Sequence, residues 1–152
     1  MSNTTTLLTG LAAMIAGAGL GIAWNPAGTY PVGQTGIFMK IMPQSPDRVV
    51  TLNCVWAGDD ITMPSSQPMV QIRGRGIPNR PLDVDDLLDP ISDLLHGATS
   101  LVFGGVTVVQ MNRRVVAPMG MDDASKRWER ADQYYLDVDV PPTINRPQGG
   151  SW

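Results

Sequence analysis

The sequence predicts an α+β fold: a mixed, mostly antiparallel sheet with an N-terminal helix and a second helix packed on it, in the order α-β-β-β-α-β-β-β. Three observations predict it. Large apolar residues near the start, Leu7, Leu8, Leu11, Met14 and Ile15, recur at helical spacing. In the middle, the apolar period switches from two to 3.6 and back again. Near the end, Tyr134, Leu136, Val138 and Val140 alternate with Tyr135, Asp137 and Asp139, which is the pattern of a half-buried strand.

Residues 7–24 are uncharged and largely apolar, so a membrane span, a signal peptide and a core helix all have to be weighed. A signal peptide needs a basic leading region, but the first Lys or Arg is Lys40. A span needs about 20 strongly apolar residues, and this stretch is interrupted by Gly10, Gly17, Gly19 and Gly21. The apolar stripe therefore predicts a packed helix. Thr4, Thr5 or Thr6 would supply its N-cap, and the glycine cluster would supply its end.

Pro26, Gly28, Pro31 and Gly33 make the next stretch turn-rich. Residues 37–42 then read as a strand, and residues 48–56 (RVVTLNCVW) read as a central strand covered on both faces. Residues 69–75 (MVQIRGR) alternate as a half-buried strand. The second helix is expected over residues 83–96, with Leu87, Leu88, Ile91, Leu94 and Leu95 as its apolar stripe, Asp83 as N-cap and Gly97 just past its end. Pro90 would either kink it or mark a later start near Asp89. Residues 106–111 and 114–117 read as two strands joined by a turn at Asn112 and Arg113. A further turn with a short helical piece is expected over residues 118–126, and the last strand over residues 131–140. One domain is expected over residues 1–141, followed by a flexible Gly/Pro-rich tail over residues 142–152.

The chain has 152 residues, a net charge of -3, one cysteine and one histidine. A domain of this length buries enough surface for its own core. Cys54 alone cannot form an intrachain disulfide, and a Cys/His zinc site lacks ligands. A nucleophilic centre would have to run through Cys54 and His96. The strand context makes Cys54 a small core residue, and the position before Gly97 makes His96 a helix-end residue. Asp83, Asp85, Asp86 and Asp89 lack the spacing of a calcium loop and read as a solvated helix start. No cofactor, metal or catalytic residue is expected, and an acidic chain argues against specific DNA binding. Four Trp and nine Met are many for this length and lean toward an assembly protein.

Three signatures carry a family resemblance. The strand MVQIRGRG at residues 69–76 is followed by an acidic, leucine-rich helix ending in Asp93-Leu94-Leu95-His96-Gly97. A VVAPMG turn at residues 115–120 precedes Met121, Asp122 and Asp123. The closing strand has Arg127 or Arg130 upstream of Gln133-Tyr134-Tyr135-Leu136-Asp137-Val138-Asp139-Val140. In this order they resemble the small tail terminator or minor capsid proteins of long-tailed, non-contractile bacteriophages. Gln133 departs from that pattern, which often has Asn there.

The resemblance implies a virion protein at the head-tail joint, assembled in the host cytoplasm and without enzymatic activity. It would form a homo-oligomeric ring, usually a hexamer, that caps the tail tube, contacts the tail tube protein and the head connector, and lets genomic DNA pass through its lumen without specific binding. A head-completion or neck protein of the same joint is the nearest alternative. A membrane-associated protein anchored by residues 7–24 and an enzyme using Cys54 or His96 are the readings from other classes. A head-to-tail ring needs two complementary patches on each subunit. Arg73 and Arg75 facing Asp85 and Asp86 of the neighbour are the pairing expected from the sequence.

Overall fold

The computed structural model describes residues 1–146. Helix α1 spans Asn3–Ala16, and β1 (Ile22–Ala23), β2 (Thr35–Met39), β3 (Val49–Val55), β4 (Ser65–Ser66) and β5 (Met69–Arg75) follow. After α2 (Asp83–Leu95) come β6 (Thr99–Phe103), β7 (Val106–Asp122) and β8 (Arg127–Asp139). The strands form one sheet in the order β1-β2-β3-β5-β8-β7-β6, with the short β4 paired beside β5 on β8. Only β1–β2 and β2–β3 are parallel. The mixed, mostly antiparallel architecture is therefore the expected one, with β1 and β4 as additional two-residue pieces.

Both helices cover the same face of the sheet. Leu7, Leu8, Leu11, Ala12 and Ile15 of α1, with Leu87, Leu88, Ile91 and Leu95 of α2, join Val50, Leu52, Val70, Ile72, Tyr134, Leu136 and Val138 in one core. Alternate strand residues, among them Asn53, Gln71, Arg73, Glu129 and Gln133, lie on the other face, against which no helix packs among the described residues. Strand β3 shows the consequence: Val49 to Leu52 are buried, but Asn53 and Cys54 are half-buried and Val55 is exposed. Its expected two-sided coverage holds for the first half only.

Local chemistry corrects the expected caps. Ser2, rather than Thr4, Thr5 or Thr6, caps α1: its Oγ accepts from the Thr5 backbone N–H at 3.0 Å. The helix stops at Gly17, ahead of the left-handed Gly19 and Gly21. Asp83 is the first residue of α2 and does not cap it. Its carboxylate instead accepts from the Ile77 N–H at 2.9 Å and from Arg48 Nε at 3.1 Å, which pins the loop before the helix. Helix α2 runs through Pro90 without a later start. The carbonyl that Pro90 leaves without a donor belongs to Asp86, which is exposed, so water can satisfy it.

The largest correction concerns β7. No turn occurs at Asn112 and Arg113, and no helical piece follows Pro118. A single 17-residue strand runs to Asp122, and the turn lies over residues 123–126. Register shifts at Val108/Gln110, Arg113/Val115 and Pro118/Gly120 interrupt the alternation three times, and an interrupted alternation reads as separate strands. Strand β8 accordingly starts at Arg127, four residues earlier than expected, and β6 fills a stretch with no predicted element. In the expected tail, Thr143 and Arg146 close a small turn through a β-bridge. Residues 147–152 of that tail, including Trp152, lie outside the described residues.

Candidate assembly surface

The charged side chains are sorted by the two faces of the sheet. On the helix-covered face, Arg130 of β8 is nearly buried and fans out over three carboxylates. Its Nε donates to Asp132 Oδ1 at 2.8 Å, Nη1 to Asp85 Oδ1 at 2.9 Å and Nη2 to Asp89 Oδ1 at 2.8 Å, and Nη2 also reaches Asp132 Oδ2 at 2.8 Å. Arg113 of β7 adds a longer contact to Asp132 at 3.5 Å. The hydrogen bonds to Asp132, followed by those to Asp85 and Asp89, hold the Arg130 guanidinium above its ordinary pKa against the opposing effect of burial. These bonds clamp α2 onto β8.

The uncovered face carries a second arginine group. Arg73 pairs with Glu129. Arg75, 4% exposed, makes no ion pair among the described residues. Its Nε donates to the Asp47 carbonyl at 2.9 Å and its Nη2 to the Pro46 carbonyl at 2.6 Å, which binds the loop of residues 40–48 to the sheet. Burial, and then the neighbouring Arg127 charge, lower the Arg75 pKa from its ordinary value. Arg127 donates to the Gln44 carbonyl at 2.7 Å and to Asp47 Oδ1 at 3.1 Å. Together with Met42, Gln44, Asp122, Ser125 and Glu129, the three arginines line a cleft of about 370 Å³.

The four residues expected to pair between subunits are thus placed unequally. Arg73 and Arg75 lie at this cleft, with Arg73 partly exposed and Arg75 turned into the subunit. Asp85 is engaged by Arg130 of its own chain. Asp86 is exposed and makes no ion pair among the described residues. Arg127 and Arg130 entered the sequence reading only as a signature. Their spacing around Glu129 on a strand puts the two arginines on opposite faces, but their partners lie 83 and 45 residues away in the chain.

The residues weighed for chemistry take structural places. Burial pushes the Cys54 thiol up to about 11, opposed by Lys40, so the reactive thiolate is scarce at neutral pH. His96 Nδ1 accepts from the Arg113 backbone N–H at 2.9 Å, at the β7 register shift. This bond ties the end of α2 to the sheet and occupies the nitrogen that a general base would use. Trp24, Trp56 and Trp128 pack against the core instead of standing on the surface, and Trp56 Nε1 donates to Thr4 Oγ1 at 2.7 Å, anchoring the start of α1. Exposed apolar side chains are scattered over the surface, and Val115, Val116, Met119 and Met121 form a run of them along the far half of β7. Strand β6 pairs only with the first five residues of β7, so this half has a free edge among the described residues.

Among the described residues the chain thus has a charged network between α2 and β8, a sheet face without a helix and a strand edge without a partner. The family model described as "Bacteriophage tail terminator protein" matches residues 14–140. The chain belongs to the bacteriophage tail terminator family. It is accordingly a structural virion protein. A chain in a solved structure titled "Virion of native gene transfer agent (GTA) particle" is similar in fold, with a TM-score of 0.55 and 17% identity over 85% of this chain and 84% of that one. No curated protein matches the chain. Among the described residues no helix is long and apolar enough to cross a membrane.

Proposed function

We propose that this tail terminator forms a closed ring, a hexamer, on the head-proximal end of the tail tube. There it ends tube polymerisation and presents the surface that joins the tail to the head connector. Family membership over residues 14–140 carries this reading. The physics of end capping supports it: one ring face complements the last tube ring, while the other offers no site for a further tube subunit. A two-layer subunit with a helix-covered face and an uncovered sheet face has two unlike surfaces, which is what a head-to-tail ring requires. With its acidic residues facing the lumen, a subunit of net charge -3 would discourage passing DNA from adhering there. Subunits fold and assemble in the host cytoplasm and remain at the head-tail joint.

Electron microscopy of particles made with the gene silenced tests the proposal. Tails of scattered and excessive length, separate from filled heads, are expected. Tails of normal length joined to heads would overturn it.

A further inference from the structure

Two groups of charged side chains, on opposite sides of the subunit, include members that make no ion pair among the described residues. The first is the arginine cleft. Arg75 and Arg127 are each 4% exposed. Among the described residues Arg75 is met only by carbonyl oxygens, and the buried Nε atoms of Arg73 and Arg127 have no acceptor. The carboxylates nearby do not fill this need. Glu129 is committed to Arg73, Asp47 pairs with Arg127 Nη1 at 3.1 Å, and Asp122 accepts from the Ser125 backbone and hydroxyl at its own turn, so that Arg75 is the arginine of the cleft with no carboxylate among the described residues. Buried guanidinium N–H groups without acceptors are costly, and a carboxylate meets their planar fork well.

The second group is on α2. Asp86 and Asp93 are both exposed and, seven residues apart, share one side of the helix. Neither makes an ion pair among the described residues, whereas Asp83, Asp85 and Asp89 on the same helix all do. Helix α2 packs on β5, β7 and β8 from the core side, and the cleft opens on the other side of β5 and β8. Within one chain the sheet separates the two groups. A contact between them therefore needs a second copy of the chain.

We propose that the cleft of Arg73, Arg75 and Arg127 in one subunit receives Asp86 from α2 of the next, with Asp93 extending the contact along the helix. The inference rests on the ring reading and names the joint between its subunits. It keeps Arg73, Arg75 and Asp86 from the pairing expected on sequence, puts Asp93 in place of Asp85, which Arg130 holds, and adds Arg127. Carboxylate and guanidinium groups become desolvated together, the setting in which such pairs decide association and register.

Native mass spectrometry of the purified full chain tests the joint. Asp86→Lys, a change at an exposed position, is expected to lower the ring population at least about tenfold, with the circular dichroism spectrum unchanged. Asp59→Lys alters the net charge equally, far from the joint, and is expected to leave rings intact. Adding Arg73→Glu to Asp86→Lys reverses both partners and is expected to restore rings. Wild-type rings that persist in Asp86→Lys overturn the joint while leaving the ring reading in place. A wild-type chain that stays monomeric and leaves tube length unaltered overturns both.

Discussion

Arg130 and Asp132, two residues apart on β8 and so on one face of the sheet, form a two-point contact beneath α2, with Nε–Oδ1 and Nη2–Oδ2 both at 2.8 Å. Asp132 is 1% exposed and Arg130 is 3% exposed. Each neutralises a charge that the interior would otherwise exclude. Truncating one partner strands the other. Arg130→Met is expected to cost about 3 kcal/mol, since only the longer Arg113 contact would remain to Asp132. The double variant Arg130→Met with Asp132→Leu is expected to recover most of that loss, because no buried charge is left. Urea unfolding midpoints of the two variants check the pair, and equal midpoints for the single variant and the wild type would contradict it.

Gly74 on β5 faces Leu88 of α2 so closely that an added Cβ would lie 2.8 Å from the Leu88 Cγ. Glycine here sets the distance between helix and sheet. Gly74→Ala is expected to lower stability by about 1–3 kcal/mol through overpacking. Pairing it with Leu88→Ala relieves the clash and is expected to cost less than the sum of the two single changes. A thermal melt of the three variants reads this coupling.

Tyr134 is fully buried, and burial pushes its phenol from the ordinary 10.0 up to about 12. The native state therefore keeps a proton that the unfolded chain releases near pH 10. Stability from this group is complete below pH 10 and is lost as pH rises toward 12, by about 2–3 kcal/mol in all. Cys54, raised from 9.0 to about 11, acts in the same direction one unit lower. Urea titrations across this alkaline range are expected to show the decline, and Tyr134→Phe is expected to show a shallower one. An identical slope in Tyr134→Phe would contradict the assignment.

The Trp56 Nε1 bond to Thr4 Oγ1 joins residues 52 apart and holds the first turn of α1 against the end of β3. Trp56→Phe keeps most of the apolar contact and removes the donor. A loss of about 1 kcal/mol is expected, together with faster amide hydrogen exchange in the first turn of α1.

Elements whose chemistry is local were legible in the sequence. Strand β5 is found at the expected residues, and α2 ends within one residue of its predicted end, because a single period runs unbroken through each. Strand β7 was not legible, since its three register shifts break the alternation and imitate turns. Ser2 was missed as a cap because three threonines follow it with the same chemistry, and only the chain's entry angle selects among them. The charged surface was half legible. Arg73 and Asp86 carry visible charge, but whether an aspartate on α2 is free depends on which face of β8 each arginine occupies and how close that face lies to the helix. Asp85 was thereby claimed by Arg130, a relation between residues 45 apart that no local pattern encodes.

The central claim, that this chain ends tube growth, is tested most directly by adding the purified protein to its own tail tube protein during polymerisation and measuring tube lengths by electron microscopy. Short tubes closed by a ring at one end, their mean length falling as the added protein increases, are the expected result. A length distribution unchanged at every ratio, with bare tube ends, would contradict the account.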